Sequence, residues 1–438
     1  MDQQPARVPD QARQAGSAPD PWGWVEPSVW TERMLAALHG GVKGGVWFSL
    51  IDKVYSHANL QSATAKVVAN RGAAGVDHVT VEQFCRHADE NLRALEEQLR
   101  LDTFRPQAIR RVYIPKPGST EERPLGIPTV RDRVVQAAVV HVLQPIFERD
   151  FSPQSYGFRP GRGCQQALGR VEELLAAGYS YVVDADLKSY FDSIPHDRLL
   201  QRIREKVADG RLLRLIESFL KAGILEGLQE WTPTAGAPQG AVLSPLLSNV
   251  YLDPLDHLMA ANGIEMVRYA DDFVIMCRSE AEAQRALGMV QAWVEANGLS
   301  LHPGKTRIVC ASTEAFEFLG YRYERGERFV RKKSLEKLKA AVRAKTRRTD
   351  GRSLARIIGD LNRALKGWFG YFKRCQGRVF SNLDGWIRRR LRSLLRKRKK
   401  LKGISRHGAD ERRWPNAFFA EQGLFSLKAA HESLASPL

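Results

Sequence analysis

The hydrophobic rhythm of the chain changes near residue 335. Before that point, short apolar runs of strand character are interleaved with segments of helical period; after it the period is helical alone. The stretch "IRRVYIPKPGSTEERPLGIPTVRDR" (109–133) alternates apolar and basic residues around a Pro/Gly turn and predicts a β-hairpin. Upstream, "SVWTERMLAALHGG" predicts a short helix, residues 46–70 another, and "AAGVDHVTVEQF" (73–84) a loop opening a helix towards Arg100. Val134, Ala137, Ala138, Val142 and Ile146 recur at helical spacing. "YSYVVDADLKSYFD" opens as a buried strand, "HDRLLQRIREKV" returns to helical period, and "TAGAPQGAVLSP" is a Gly/Pro-marked loop before a helix from about Leu246 to Ala261. A hairpin over 266–277, a helix over 280–297 closed by Gly298 and the extended "LSLHPGKTRIVC" follow. The order β, α, β-hairpin, α, β is that of a ferredoxin-like sheet with helices on one face, so the fold class is α+β. Beyond 335, one apolar stripe runs from Leu354 to Phe372 and another from Leu383 to Leu395, with arginines and lysines opposite.

Composition sharpens this picture in two places. With 438 residues and 43% hydrophobic content the chain can bury a sizeable core in two or three domains. The net charge is +18, yet residues 331–400 hold 25 Lys/Arg against 4 Asp/Glu, so the remaining 368 residues sum to about −3. So local a surplus implies a polyanionic partner, nucleic acid first, with a solvated basic helix or a membrane-surface patch as the alternatives. Five scattered cysteines without a CxxC pair indicate neither a zinc ribbon nor a disulfide framework and fit a reducing cytoplasm. The first 27 residues lack an apolar core and read as a mobile leader, and no apolar run approaches the ~18 residues of a membrane span.

Candidate chemistry lies in "RYADDFVIM" (268–276), where Asp271 and Asp272 stand between apolar strand segments. Burying two adjacent carboxylates unpaired costs several kcal/mol or forces one to protonate, so the pair marks either a solvated turn or a divalent-metal site at a hairpin tip. In "VVDADLKSYFDSI" (182–194), Asp184 and Asp186 share a face by strand alternation, and Asp186 ends the strand. The first strand of a ferredoxin-like sheet lies beside the central hairpin, so Asp186 and the Asp271–Asp272 pair can converge from 85 residues apart. Three carboxylates at one sheet edge suit two Mg²⁺ ions, which at a spacing of roughly 3.5–4 Å stabilise both oxygens of an in-line phosphoryl transfer.

Six segments occur in order at suitable spacing: "SYGFRPGRG", "ADLKSYFD", "APQGAVLSPLLSNVYL", "YADD", "LSLHPGKT" and "FEFLGY". Together they resemble the motifs of reverse transcriptases, specifically those of bacterial group II introns, and the resemblance runs from about residue 30 to the C-terminus. "LNRALKGWFGYF" and "LDGWIRRRLR" resemble the maturase-specific (thumb, or X) region. The resemblance implies a right-hand polymerase, with fingers and a ferredoxin-like palm followed by an α-helical thumb. Asp186 and Asp271 would be the main ligands of two Mg²⁺ ions, for which Mn²⁺ could substitute, with Asp272 assisting and the Leu187 carbonyl completing a shell. Phe191 matches the family's steric gate against a ribose 2′-OH, or is simply core. Lys116 and Arg123 match the fingers residues that hold the incoming triphosphate, or are surface charge. Gln239 and Gly240 match a loop abutting the nascent base pair, and Lys305 a lysine near the leaving pyrophosphate, there to donate a proton or neutralise charge. Arg159 and Arg162, among glycines and aromatics, suit tracking of a template backbone. Arg388, Arg389 and Arg390 lie on the basic helix face expected to anchor RNA.

The expected organisation is a flexible leader (1–29), fingers (30–180), palm (181–330), thumb/X (331–400) and a tail (401–438) without the clustered metal ligands of an endonuclease. The expected activity is RNA-directed DNA synthesis from dNTPs on an RNA template, primed by DNA, together with binding of intron RNA and assistance to its splicing and mobility. A splicing maturase with a scaffold-only palm, and a reverse transcriptase serving defence or repair, are the alternatives. Intact Asp186, Asp271 and Asp272 argue against the scaffold-only form.

Overall fold

Strict alternation along four strands builds one sheet that is shared by two cores. In the computed structural model, which describes residues 22–115, 122–401 and 407–435, eleven strands form three sheets. In chain order they are β1 (Ile109–Pro115), β2 (Glu122–Ile127), β3 (Tyr181–Ala185), β4 (Ile224–Glu226), β5 (Gln229–Trp231) and β6 (Glu265–Tyr269), then β7 (Asp272–Cys277), β8 (Arg307–Cys310), β9 (Phe316–Phe318), β10 (Tyr321–Glu324) and β11 (Glu327–Val330). The central sheet runs β6-β7-β3-β8, all antiparallel, which is the ferredoxin-like order expected. Val183, Ala185, Met266, Phe273 and Ile275 enter one core, while Val182, Val267, Val274, Met276 and Val309 enter the other.

The first core lies under the helices Ser244–Ala261 and Glu280–Ala296 and continues into the N-terminal part of the chain. Ser279 caps the second helix through Glu282 N, and Gly298, at φ +70°, turns the chain out of it. The opposite face is not open, as a one-sided sheet would be. The helix Cys164–Ala176 and the small sheet β9-β10-β11, neither evident from the sequence pattern, cover it and join it to the C-terminal helices.

The predicted 109–133 hairpin is β1 and β2, in register from Arg110 opposite Ile127 to Pro115 opposite Glu122. β4 then pairs parallel to β1, giving the order β2-β1-β4-β5. This sheet therefore draws strands from both sides of residue 180, because the loop that carries Gln239 must return beside the hairpin. The expected helix over 46–70 is broken at Ser56, which caps His57–Asn70, and that towards Arg100 is broken at His87.

Two segments expected to lie outside the folded domains carry buried side chains. The leader was drawn to residue 29, yet Trp22 (9% exposed), Val29 and Trp30 are buried, and Trp30 Nε1 donates to the His141 carbonyl at 2.8 Å. Large aromatic surface gains more from burial than this short segment loses in chain freedom. Residues 407–435 are not a bare tail either. They form helices His407–Arg413, Asn416–Glu421 and Leu427–Ala435, whose Trp414, Phe419 and Leu427 complete the core made by helices Lys332–Lys345, Leu354–Phe372 and Arg378–Arg398. Buried Asp384 caps the last helix, accepting from Ser426 Oγ (2.7 Å) and from the amides of Leu427 and Lys428 (both 3.1 Å).

Candidate active site

The turn that carries Asp271 is built from behind. Tyr269 pairs with Asp272 across the hairpin, leaving Ala270 and Asp271 as a two-residue turn with Ala270 at φ +59°. An L-residue other than glycine costs roughly 1–2 kcal/mol there, so the surroundings must enforce the shape. Arg268, fully buried, does so: its guanidinium bonds Asp256 from Nε (2.8 and 3.0 Å) and Nη2, and reaches Asn249 Oδ1 and the Ala270 carbonyl from Nη1 (both 2.9 Å). Asn249 Nδ2 in turn donates to the Gly157 carbonyl at 2.8 Å. A Cβ on Gly157 would stand 2.2 Å from Ala270 N, so only glycine lets the "YGF" loop lie against the turn.

Asp186 approaches from the end of β3. Leu187 bridges Leu301 through the amide of Lys188 on the Ser300 carbonyl (2.8 Å) and that of His302 on the Asp186 carbonyl (2.7 Å), which leaves Leu187's own carbonyl off this ladder. Lys305 Nζ lies 2.6 Å from Asp186 Oδ2, and Arg307 pairs with Asp184 at 3.6 Å. Burial first, then the Asp186 charge, raises the Asp271 carboxyl above its usual range. Asp272 is pushed up to about 6, by loss of hydration and then by the charges of Asp271, Asp186 and Asp184.

These mutual effects put Asp186, Asp271 and Asp272 in one field. Their oxygen donors fit a hard divalent cation. Among the described residues no three His, Cys, Asp or Glu side chains yet stand together as a cage, and Asp186 is engaged by Lys305 instead.

A cavity of about 450 Å³ is lined by Phe191, Gln239, Gly126 and Trp231 among others. Phe191 is half-buried, its ring 5.3 Å from that of Tyr190, and its carbonyl accepts from Ala237 N at 2.7 Å. It therefore faces the cavity and also touches core, so both sequence readings retain a basis. Gly240, at φ +103°, brings its backbone against Gly126, where a Cβ would meet the carbonyl at 2.5 Å. Arg123 is exposed and opposite Ile114 near the hairpin tip, whereas Lys116 lies outside the described residues.

The arginines divide. Arg159 is 7% exposed and committed to Glu148 (2.8 Å) and the carbonyls of Ser152 (2.5 Å) and Ser155 (2.8 Å), so it shapes its loop and is not presented to a template. Arg162 is half-buried over Tyr156 and donates to the Pro153 carbonyl at 2.7 Å, while bordering an open groove. Arg389 is exposed and Arg388 half-buried; Arg390 closes the end of helix Lys332–Lys345 through Thr346 Oγ1 (2.7 Å) and its carbonyl (3.2 Å). Arg268 is the residue that sequence reasoning missed. The available signal was an arginine and an aspartate, Arg268 and Asp256, each preceded directly by an apolar residue, Val267 and Leu255.

A ferredoxin-like palm with an aspartate pair at its hairpin tip, roofed by a β-hairpin sheet and followed by a helical domain, has the architecture of a right-hand polymerase. Residues 114–323 match the reverse transcriptase (RNA-dependent DNA polymerase) family, and residues 335–414 the maturase-specific domain of group II introns. The chain is 40% identical over 196 residues to the group II intron-encoded protein LtrA of Lactococcus lactis, covering 44% of this chain and 32% of that protein. It is 31% identical over 307 residues to protein YkfC of Escherichia coli, covering 60% of this chain and 79% of that one. A solved Cas6-RT-Cas1–Cas2 assembly superposes on 57% of this chain and 41% of its own with TM-score 0.38 and 26% identity. The chain belongs to the group II intron-encoded reverse transcriptases and maturases. It spans about a third of the length of the lactococcal relative. Its family generally uses divalent metal ions. No helix among the described residues is long and apolar enough to cross a membrane.

Proposed function

We propose that the chain is an RNA-directed DNA polymerase that also grips its intron RNA and assists group II splicing and mobility in the cytoplasm. The observation that supports this best is the common field of Asp186, Asp271 and Asp272, with Phe191, five residues beyond Asp186 in the chain, lining a cavity together with Gln239. Asp186, Asp271 and the Leu187 carbonyl, with Asp272 assisting, would hold two Mg²⁺ ions, or Mn²⁺ in their place. When bound, these supply charge neutralisation as the primer 3′-oxygen bonds the α-phosphorus of a dNTP and the α–β phosphate bond breaks. The chain's own groups do the rest. Arg123 and Lys116 hold the triphosphate, Gln239 and Gly240 abut the new base pair, and Phe191 crowds a 2′-OH. Lys305 neutralises or protonates the departing pyrophosphate.

We assign fingers to 22–180 together with the returning β4–β5 segment, palm to the remainder of 181–330, and thumb/X to 331–435. The maturase-domain match and the +21 balance of residues 331–400 support the RNA grip. The test supplies purified protein with Mg²⁺, a DNA primer on an RNA template and dNTPs, and separately the precursor RNA of a group II intron. We expect cDNA extension in the first and faster splicing in the second. Failure of extension would overturn the polymerase assignment, and failure of splicing the maturase one.

A further inference from the structure

Lys305 is placed to do more than meet a leaving group. Its ammonium makes a short, charge-assisted contact of 2.6 Å with Asp186 Oδ2. The turn that carries it is fixed to the same residue's backbone. His302 N bonds the Asp186 carbonyl at 2.7 Å, and the amides of Lys305 (3.1 Å) and Thr306 (3.2 Å) both bond the His302 carbonyl. The main chain thus keeps Lys305 within reach of Asp186, and only the flexible four-carbon stem has to move. The lysine side chain is 60% exposed against 30% for the aspartate, so leaving breaks no packing, and an exposed ion pair of this kind is weak.

Two nearby arginines are held elsewhere. Arg268 is saturated by Asp256, Asn249 and the Ala270 carbonyl, and Arg307 pairs with Asp184. Lys305, by contrast, is an exposed positive charge in direct contact with Asp186, whose own charge acts on both Asp271 and Asp272.

We propose that Lys305 is a placeholder for the metal at Asp186. Its ammonium neutralises the carboxylate until a divalent cation arrives, yields Asp186 to it, and is released towards the position of the triphosphate. The proposal rests on the reading of Asp186 as a metal ligand. Loading of metal and release of the lysine are then one exchange, so each is measurable through the other.

The experiment uses the full chain without nucleic acid or nucleotide. Mn²⁺ binding is followed by the electron paramagnetic resonance of the free ion, and the amine reactivity of Lys305 by acylation and peptide mass spectrometry on the same samples. Saturating Mn²⁺ is expected to raise Lys305 acylation several-fold. In Asp186→Asn, checked for folding by its melting curve, Lys305 should react fast from the outset and ignore Mn²⁺. Lys305→Met should bind Mn²⁺ up to about fivefold more tightly, the upper range for losing one exposed competing pair. If Mn²⁺ binds the wild-type chain and Lys305 reactivity stays level or falls, the placeholder is overturned and the metal site stands. If Mn²⁺ does not bind, or binds Asp186→Asn and Asp271→Asn as well as wild type, both readings fall.

Discussion

Two cations flank the same turn and do opposite work. Behind it, Arg268 is fully buried, and its fork is filled by a carboxylate, an amide oxygen and the turn's own carbonyl. In front, Lys305 holds Asp186 by a single contact at the surface. A guanidinium with every nitrogen engaged in a dry site fixes geometry, because any movement strands a buried charge. An exposed ammonium on a flexible stem fixes little and can be exchanged. The rear of the site is scaffold and the front is working surface, and what separates them is hydration and the number of bonds per charge.

The largest stability effect should come from the rear. Arg268→Ala leaves Asp256 buried and unpaired, which costs about 3–5 kcal/mol. Denaturant unfolding should register that loss, and a variant as stable as wild type would remove the clamp from this account. Next, Gly157→Ala forces a Cβ into backbone at 2.2 Å. It should lower primer extension by roughly tenfold or more, the cost of an ångström-scale misplacement, and disturb the turn with little change in nucleotide affinity. A rise in KM alone would argue that the loop serves substrate and not the turn.

The front should reveal itself through pH. Asp272 titrates at about 6, above the usual carboxyl value of 3.8, so protons compete with metal there and extension should fall as pH drops through 6, less so in excess Mg²⁺. Without metal the sign reverses for stability. A raised carboxyl favours the folded chain at low pH, and that advantage is lost as pH rises from 3.8 to about 6. Asp272→Asn should therefore raise the melting temperature of the metal-free protein at pH 8 and leave it unchanged near pH 3. The smallest effect is Lys305→Ala on metal-free stability, expected within about 1 kcal/mol of wild type.

Much of the front was legible in the sequence. Short apolar runs in "VVDADL" and "YADDFVIM" located both carboxylate strands, and the β-α-hairpin-α-β order placed them side by side, because run length and order are read locally. The rear was not legible, since the partners of Arg268 lie 12 and 19 residues away on a helix whose packing angle no local pattern reports. The same reason hid the commitment of Arg159 to Glu148 and of Arg390 to Thr346, arginines that read as surface until their partners are known. The leader and tail were misjudged differently. Trp22, Trp414 and Phe419 sit in segments too short for a helical period, so their burial shows only in side-chain size.

The central claim is that Asp271, held from behind by Arg268, carries the chemistry at the front. The most direct measurement is the single-turnover rate of one dNTP added to a DNA primer on RNA with saturating Mg²⁺, in wild type and in Asp271→Asn of matched melting temperature. A fall of at least ~10³-fold, about 4 kcal/mol of lost transition-state stabilisation, is predicted. A rate within a few-fold of wild type would contradict the account.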